Sequence, residues 1–287
     1  MTLHETLAAC GMTPPQHIAL GRFVRFPGCG KGRGNTAGWC RLIMPTLAVY
    51  GDWSTGLSET WRSDEHVDSA QSRRLLAQAR EREARIRRQT LERQERVAHE
   101  ARQMVASAKI GSHAYLVRKG FPDERGLICG TQLLIPMRDV ADYTRILTAQ
   151  LISESGEKLF LTGGRAMGAI YRIGAYPSRA ARIVLCEGYA TGLSIHTALA
   201  RLRGVACVIC CFSANNLERV ATRFPDAIVA ADHDCVNKAT GERPGEAAAM
   251  RTGLKWVKPD AENEDFNDVH QRQGIHAVVE KLREAFA

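Results

Sequence analysis

The last third of the chain sets the tightest limit on what it can fold into. Three apolar runs, RIVLC at 182–186, VACVICCF at 205–212 and AIVAA at 227–231, alternate with ATGLSIHTALARL (190–202), LERVATRF (217–224) and GEAAAMRTGL (245–254), which read as helices. A final helix is expected from His276 to Phe286. Alternation of this kind builds βαβ units and a parallel sheet. Parallel strands all end at one edge, and ligands collect there. Glu187 follows the first run, and Asp232 and Asp234 follow the third. Two aspartates at i and i+2 on extended backbone point the same way. Carboxylates 45 residues apart in sequence can therefore meet at one rim. Such an oxygen-only set suits Mg²⁺, a hard cation. Asp-x-Asp after a strand also makes a plain turn, but Glu187-Gly188 at a matching strand end favours ligation.

The remainder is different in kind. Residues 1–182 carry 27 Lys+Arg against 17 Asp+Glu, whereas residues 183–287 carry 12 against 14. A basic front and a faintly acidic back suggest a polyanion held by one part and cations held by the other. Residues 1–62 (GRFVRF, GWCRLIM, TLAVYGDW) read as short strands with glycine turns, a small β-rich module. Residues 63–109 are a helical connector: 71–109 lack Gly and Pro and hold 11 basic and 5 acidic side chains. Such a helix is either a solvated face laced with i,i+4 pairs or a contact to nucleic-acid phosphates. Its second half has an apolar stripe at Val97, Ala101, Met104, Val105 and Ala108, which calls for a packing partner. Residues 110–182 read as a basic α+β subdomain, with a short helix at Ala114–Leu116 and antiparallel strands in GTQLLIPMRD, RILTAQLIS, GEKLFLTG and AIYRIG. Residues 183–287 are the acidic-rimmed α/β domain.

VLCEGYATGLS, VAADHD, Gly245-Glu246-Ala247-Ala248 and Glu264-Asp265-Phe266-Asn267-Asp268-Val269 together resemble the Toprim domain shared by bacterial-type primases, topoisomerases and some nucleases. The basic loop CVNKATGERP at 235–244 is longer than that pattern expects. Upstream, Tyr115-Leu116, Lys119-Gly120, Leu134-Ile135-Pro136-Met137-Arg138-Asp139, Gly156-Glu157-Lys158 and Gly163-Gly164-Arg165 resemble the basic subdomain that precedes Toprim in mobile-element primases. Gly38-Trp39 and Gly51-Asp52-Trp53-Ser54-Thr55-Gly56 resemble the small module found before the primase core in many phage and plasmid primases.

The resemblance implies an enzyme, a DNA primase that makes short RNA primers on single-stranded DNA by nucleotidyl transfer. The fold expected is α/β: a Toprim-like parallel sheet with flanking helices, preceded by the basic subdomain, the long helical segment and the β-rich module. Glu187, Asp232 and Asp234 are the expected catalytic residues, and with Asp268 they are the expected ligands of Mg²⁺ or Mn²⁺. Arg138, Lys158, Arg165, Lys119 and Gly188 are expected to meet nucleotide or template. Arg22, Arg25, Lys31, Arg33 and Trp39 are expected to meet DNA by charge and stacking. Related primases carry a zinc ribbon at the N-terminal position. Here only Cys29 and Cys40 stand close, with Cys10 and His17 as stretched candidates, so zinc is not expected.

The expected partners are single-stranded DNA, ribonucleoside triphosphates and a separate replicative helicase, since no helicase motor is visible. No run is apolar and long enough to span a bilayer, and no secretory signal is visible. The expectation is therefore a bacterial cytoplasmic setting with nine reduced cysteines. Cys207-x-x-Cys210 lies in an apolar strand, where i and i+3 face opposite sides and cannot chelate one ion. GGRAMG lacks the Lys-Ser or Lys-Thr of a P-loop. Two other classes fit parts of the sequence: a Toprim-type metal-dependent nuclease, and a non-catalytic accessory protein that binds single-stranded DNA.

Overall fold

The computed structural model describes residues 1–63, 69–174, 181–202, 205–237 and 241–286, so residues 238–240 of the basic loop lie outside the described residues. The chain divides into two compact units, 1–90 and 91–287, and helix α2 (Ser69–Ser107) contributes to both. Among the described residues no helix is long and apolar enough to cross a membrane. All nine cysteines are free.

The first unit is a four-stranded antiparallel meander of β1 (Phe23–Phe26), β2 (Gly38–Met44), β3 (Leu47–Asp52) and β4 (Leu57–Arg62) in sequence order. Helix α1 (Leu3–Ala9) precedes it and was not legible as a helix. A capping box starts this helix: Thr2 accepts from the Glu5 amide and Glu5 from the Thr2 amide. Period-2 alternation sorts the strands. Phe26, Cys40, Ala48 and Tyr50 join Leu3 and Leu7 in the core, and the intervening residues face outward. The loops before β2 and after β3 are tied to Asp52. Its carboxylate accepts from the Cys29 amide at 2.5 Å and from the Ser54 amide and hydroxyl at 2.7 Å each. These bonds, the Ser54 hydroxyl foremost, hold its acid down to about 2.

The second unit is built on one ten-stranded sheet. The main path runs β14 (Trp256–Val257), β13 (Ile228–Ala230), β11 (Ala181–Cys186), β12 (Val205–Cys210), β10 (Ala169–Gly174), β7 (Gln132–Asp139), β6 (Gly126–Cys129) and β5 (Lys109–Gly111), while β8 (Ile146–Ile152) pairs with β7 and β9 (Lys158–Phe160) with β8. β14, β13, β11 and β12 are parallel. β10 then joins β12 antiparallel. The basic antiparallel part and the α/β part therefore share one sheet rather than forming two stacked bodies.

Both faces of the parallel part are covered. α4 (Tyr189–Arg201), α7 (Phe266–Gln273) and α8 (Ile275–Phe286) pack with Val184, Cys186, Val208 and Cys210. α5 (Ala214–Ala221) and α6 (Pro244–Thr252) pack with Leu185, Cys207, Ile209 and Val229. Cys207 and Cys210 thus lie on opposite faces, as the strand period requires. The apolar stripe of α2 does find a partner: Ala101 is buried with Leu134, Ile146 and Ala149, and Met104 and Val105 pack beside them. The short helix α3 (Ala114–Arg118) is capped by the His113 ring, which accepts from the Tyr115 amide.

Candidate active site

The carboxyl edge of the parallel strands is assembled by backbone hydrogen bonds. Past β11 and β12 the ladder continues, Cys211 N donating to Cys186 O and Phe212 N to Glu187 O, each at 2.8 Å. Phe212 makes the second bond with φ of 67°, a left-handed conformation that a bulky side chain adopts only when its surroundings impose it. This fixes Glu187 at the strand end. Beyond β13, His233 is bridged to the 263–264 segment, His233 N donating to Glu264 O at 3.0 Å and Asn263 N to His233 O at 2.5 Å. The bridge brings Asp265 beside the aspartate pair. Gly245 completes the rim: its amide donates to Asp234 Oδ2 at 2.7 Å. A Cβ there would stand 2.6 Å from Asp232 O and 3.0 Å from Asp234 Oδ2. Only glycine lets α6 approach this closely.

The electrostatics show which of these carboxylates feel one another's charge. Glu187 is pushed up to about 7, by burial first and then by the charge of Asp234, with the Ala214 amide opposing. Asp232 is held well above the ordinary carboxylate range by burial, then by Glu187, Asp265 and Asp234, while Lys158 pulls it down. Asp232 Oδ1 is buried with no hydrogen-bond partner, which is costly for an ionised oxygen. Four acids, Glu187, Asp232, Asp234 and Asp265, therefore share one patch of field, and the charge of Lys158 reaches it.

Asp265 was not singled out by sequence reading. The signal was present in Asp-Phe-Asn-Asp, a capping box with Asp265 at the N-cap. Its Oδ1 accepts from the Asn267 and Asp268 amides at 2.6 and 2.9 Å. Its Oδ2 accepts from the Thr191 hydroxyl at 3.0 Å. Asp268 serves the other half of that box, accepting from the Asp265 amide, and its Oδ1 lies 3.7 Å from Lys119 Nζ. Among the described residues no three His, Cys, Asp or Glu side chains converge closely enough to hold a metal ion as they stand. The donor chemistry nevertheless fits a hard divalent cation: oxygens only, mutually repelling, one of them buried without a partner.

The remaining expected residues lie as follows. Gly188 is the N-cap of α4. Arg138 donates to the Tyr143 and Thr144 carbonyls and lies 5.4 Å from the centre of the Tyr143 ring. Arg165 donates to Met167 O and lies 3.4 Å from Asp139 Oδ2. In the first unit Arg22, Arg25, Lys31 and Arg33 are exposed and Trp39 is half-buried. Trp39 belongs to a three-ring cluster that sequence reading did not resolve, with centroids 5.6 Å to Phe23 and 5.9 Å to Trp53. Phe23 and Trp53 are 49% and 54% exposed, and the Arg25 guanidinium lies 4.6 Å over the Trp53 ring.

Residues 182–276 match the family model of the Toprim domain. The match lies within the α/β part of the chain and spans its acidic rim. Among solved structures the chain is similar to one chain of the bacteriophage T7 lagging-strand DNA polymerase complex with the primase domains of two gp4 subunits bound to an RNA/DNA hybrid and dTTP. That match has 11% identity and a TM-score of 0.42, covering 62% of this chain and 93% of that one. It is also similar to the Escherichia coli primase catalytic core, with 17% identity, a TM-score of 0.35 and coverage of 70% and 74%. The zinc-binding and RNA polymerase domains of the Aquifex aeolicus primase match with 10% identity and a TM-score of 0.39, covering 99% and 83%.

Proposed function

We propose that this protein is a DNA primase, synthesising short RNA primers on single-stranded DNA during replication of a phage, plasmid or other mobile element in the bacterial cytoplasm. The observation that carries the reading is the acidic rim of the α/β part: half-buried Glu187 and Asp232, with Asp234 and Asp265, and Lys158 within electrostatic reach. Glu187, Asp232 and Asp234 would hold Mg²⁺ or Mn²⁺, and Asp268 is a further candidate ligand. The ion, when bound, supplies charge neutralisation at the phosphate and an acidified hydroxyl.

The reaction is an in-line displacement. The primer 3′-oxygen forms a bond to the α-phosphorus of a ribonucleoside triphosphate, the α–β bridge breaks, pyrophosphate leaves and the hydroxyl proton passes to solvent. This chain's own part is positioning and field. Lys158, on β9 and within electrostatic reach of Asp232, would offer a cation to the triphosphate charge. Lys119, Gly188, Arg138 and Arg165 are the further candidates for contacts to nucleotide or template.

The aromatic face of the first unit gives template binding a physical basis. Phe23, Trp39 and Trp53 offer ring faces to bases, and Arg25, with Arg22, Lys31 and Arg33, offers charge to phosphates. A separate replicative helicase would supply the single strand.

The test is incorporation of labelled ribonucleotides on single-stranded DNA with Mg²⁺ or Mn²⁺, comparing the natural chain with Asp232→Asn. Short extension products from the natural chain and none from the variant support the reading. Shortened DNA without incorporation, or equal synthesis by both proteins, overturns it.

A further inference from the structure

A second cation cluster lies on the α5 side of the sheet. A pocket of about 630 Å³ opens between α5, the end of β7 and the turn before β10, lined by Arg165, Gly168, Asn215, Arg219, Thr222 and Arg223 among others. Arg219 stands in the last turn of α5 and Arg223 in the turn that follows its C-cap Thr222, and both line the pocket. Both are exposed, and among the described residues neither has a carboxylate partner. The two carboxylates on the pocket wall are already engaged. Glu218 Oε1 accepts from Arg251 at 2.9 and 2.6 Å. Asp139 accepts from the Ala141 amide at 2.9 Å and faces Arg165 at 3.4 Å. With those pairs cancelled, Arg219 and Arg223 leave the pocket two positive charges in excess.

The walls are also fixed in place. Asn216 is buried, and its Oδ1 accepts from the Gly168 amide at 2.6 Å. Its Nδ2 donates to Ala169 O and Cys211 O at 2.7 Å each. One side chain thus clamps α5, the turn before β10 and the end of β12 together. The arginines stand on a pre-formed surface, and association there loses little ordering entropy.

We propose that this pocket is a phosphate-binding site, in which Arg219 and Arg223 hold phosphate groups of a nucleic-acid backbone or of a nucleotide tail. Guanidinium suits phosphate because its fork of donors matches the oxygens. The exposed placement of one arginine at the end of α5 and the other in the turn beyond it favours a phosphodiester backbone, with successive phosphates meeting successive arginines. The site deepens the primase reading by adding an anchor for the strand outside the acidic rim. Its test reads binding alone, so failure of the site and failure of the primase reading remain separate.

The experiment uses the full chain with Arg219→Ala/Arg223→Ala, the charge-keeping Arg219→Lys/Arg223→Lys, and Arg283→Ala as a control for exposed charge elsewhere. Affinity for a labelled oligothymidylate is measured by fluorescence anisotropy across a salt series, and affinity for ATP by calorimetry, without divalent metal. Loss of two single-strand phosphate contacts lowers the slope of log affinity against log salt by about 1.4. The expected result is that fall in the alanine pair, partial retention in the lysine pair and none in the control. An unchanged slope with ATP affinity weakened tenfold or more supports the site with the nucleotide as its source. Unchanged binding of both probes, or an equal fall in the control, overturns the proposal.

Discussion

Substituting Glu187 by glutamine tests whether the acidic rim stores repulsion in the metal-free chain. An ordinary glutamate loses its proton near 4.5, and burial with the neighbouring Asp234 raises Glu187 to about 7. A folded-state value above the unfolded one means stability fully present below pH 4.5 and lost as pH rises through 7. At about 1.4 kcal/mol per pH unit, the ionised glutamate destabilises the domain by about 3 kcal/mol at pH 8.5. Glutamine keeps an oxygen for the Ala214 amide and removes the charge. In a chelator, Glu187→Gln is therefore expected to raise the stability of the Toprim domain by about 3 kcal/mol at pH 8.5 and by little at pH 4.5. Pulse proteolysis in urea, scoring peptides from residues 183–200, gives the midpoint for this part of the chain. Added Mg²⁺ should stabilise the natural chain more than the variant at the upper pH. A gain of equal size at both pH values, or a loss at pH 8.5, would refute the reasoning.

Three other substitutions have clear expected outcomes. Asn216→Ala leaves the Gly168 amide and the Ala169 and Cys211 carbonyls without their partner, and should cost about 3 kcal/mol or more in urea unfolding. Gly245→Ala forces the Asp232–Asp234 loop to move, so synthesis should fall about 100-fold while circular dichroism stays near that of the natural chain. Trp53→Ala removes an exposed ring from the Phe23–Trp39–Trp53 cluster, and should weaken oligothymidylate binding by about 1–3 kcal/mol, read by anisotropy.

The sequence carried the strand–helix alternation of 183–287 because buried parallel strands leave unbroken apolar runs between helices. It carried Glu187, Asp232 and Asp234 because strand ends are marked by the change from apolar to acidic residues. The two-residue strand Trp256–Val257 left no periodic signal. The joining of β10 to β12 was equally hidden, since edge-to-edge pairing depends on register across 30 or more intervening residues. Asp265 was missed for a related reason: its approach to Asp232 depends on the His233–Glu264 bridge. The aromatic cluster was half visible. Trp39 alternates outward from Cys40 in sequence, but its stacking on Phe23 and Trp53 required three strands to pair.

Direct titration of the chain with Mn²⁺, followed by electron paramagnetic resonance of the free ion, bears most closely on the central claim that Glu187, Asp232 and Asp234 grip a divalent cation. The natural chain is expected to remove Mn²⁺ from solution saturably at pH 7.5, with Mg²⁺ competing, and Asp232→Asn to lose at least tenfold in affinity. Equal binding by the two proteins, or none by the natural chain even with single-stranded DNA and a ribonucleoside triphosphate present, would contradict it.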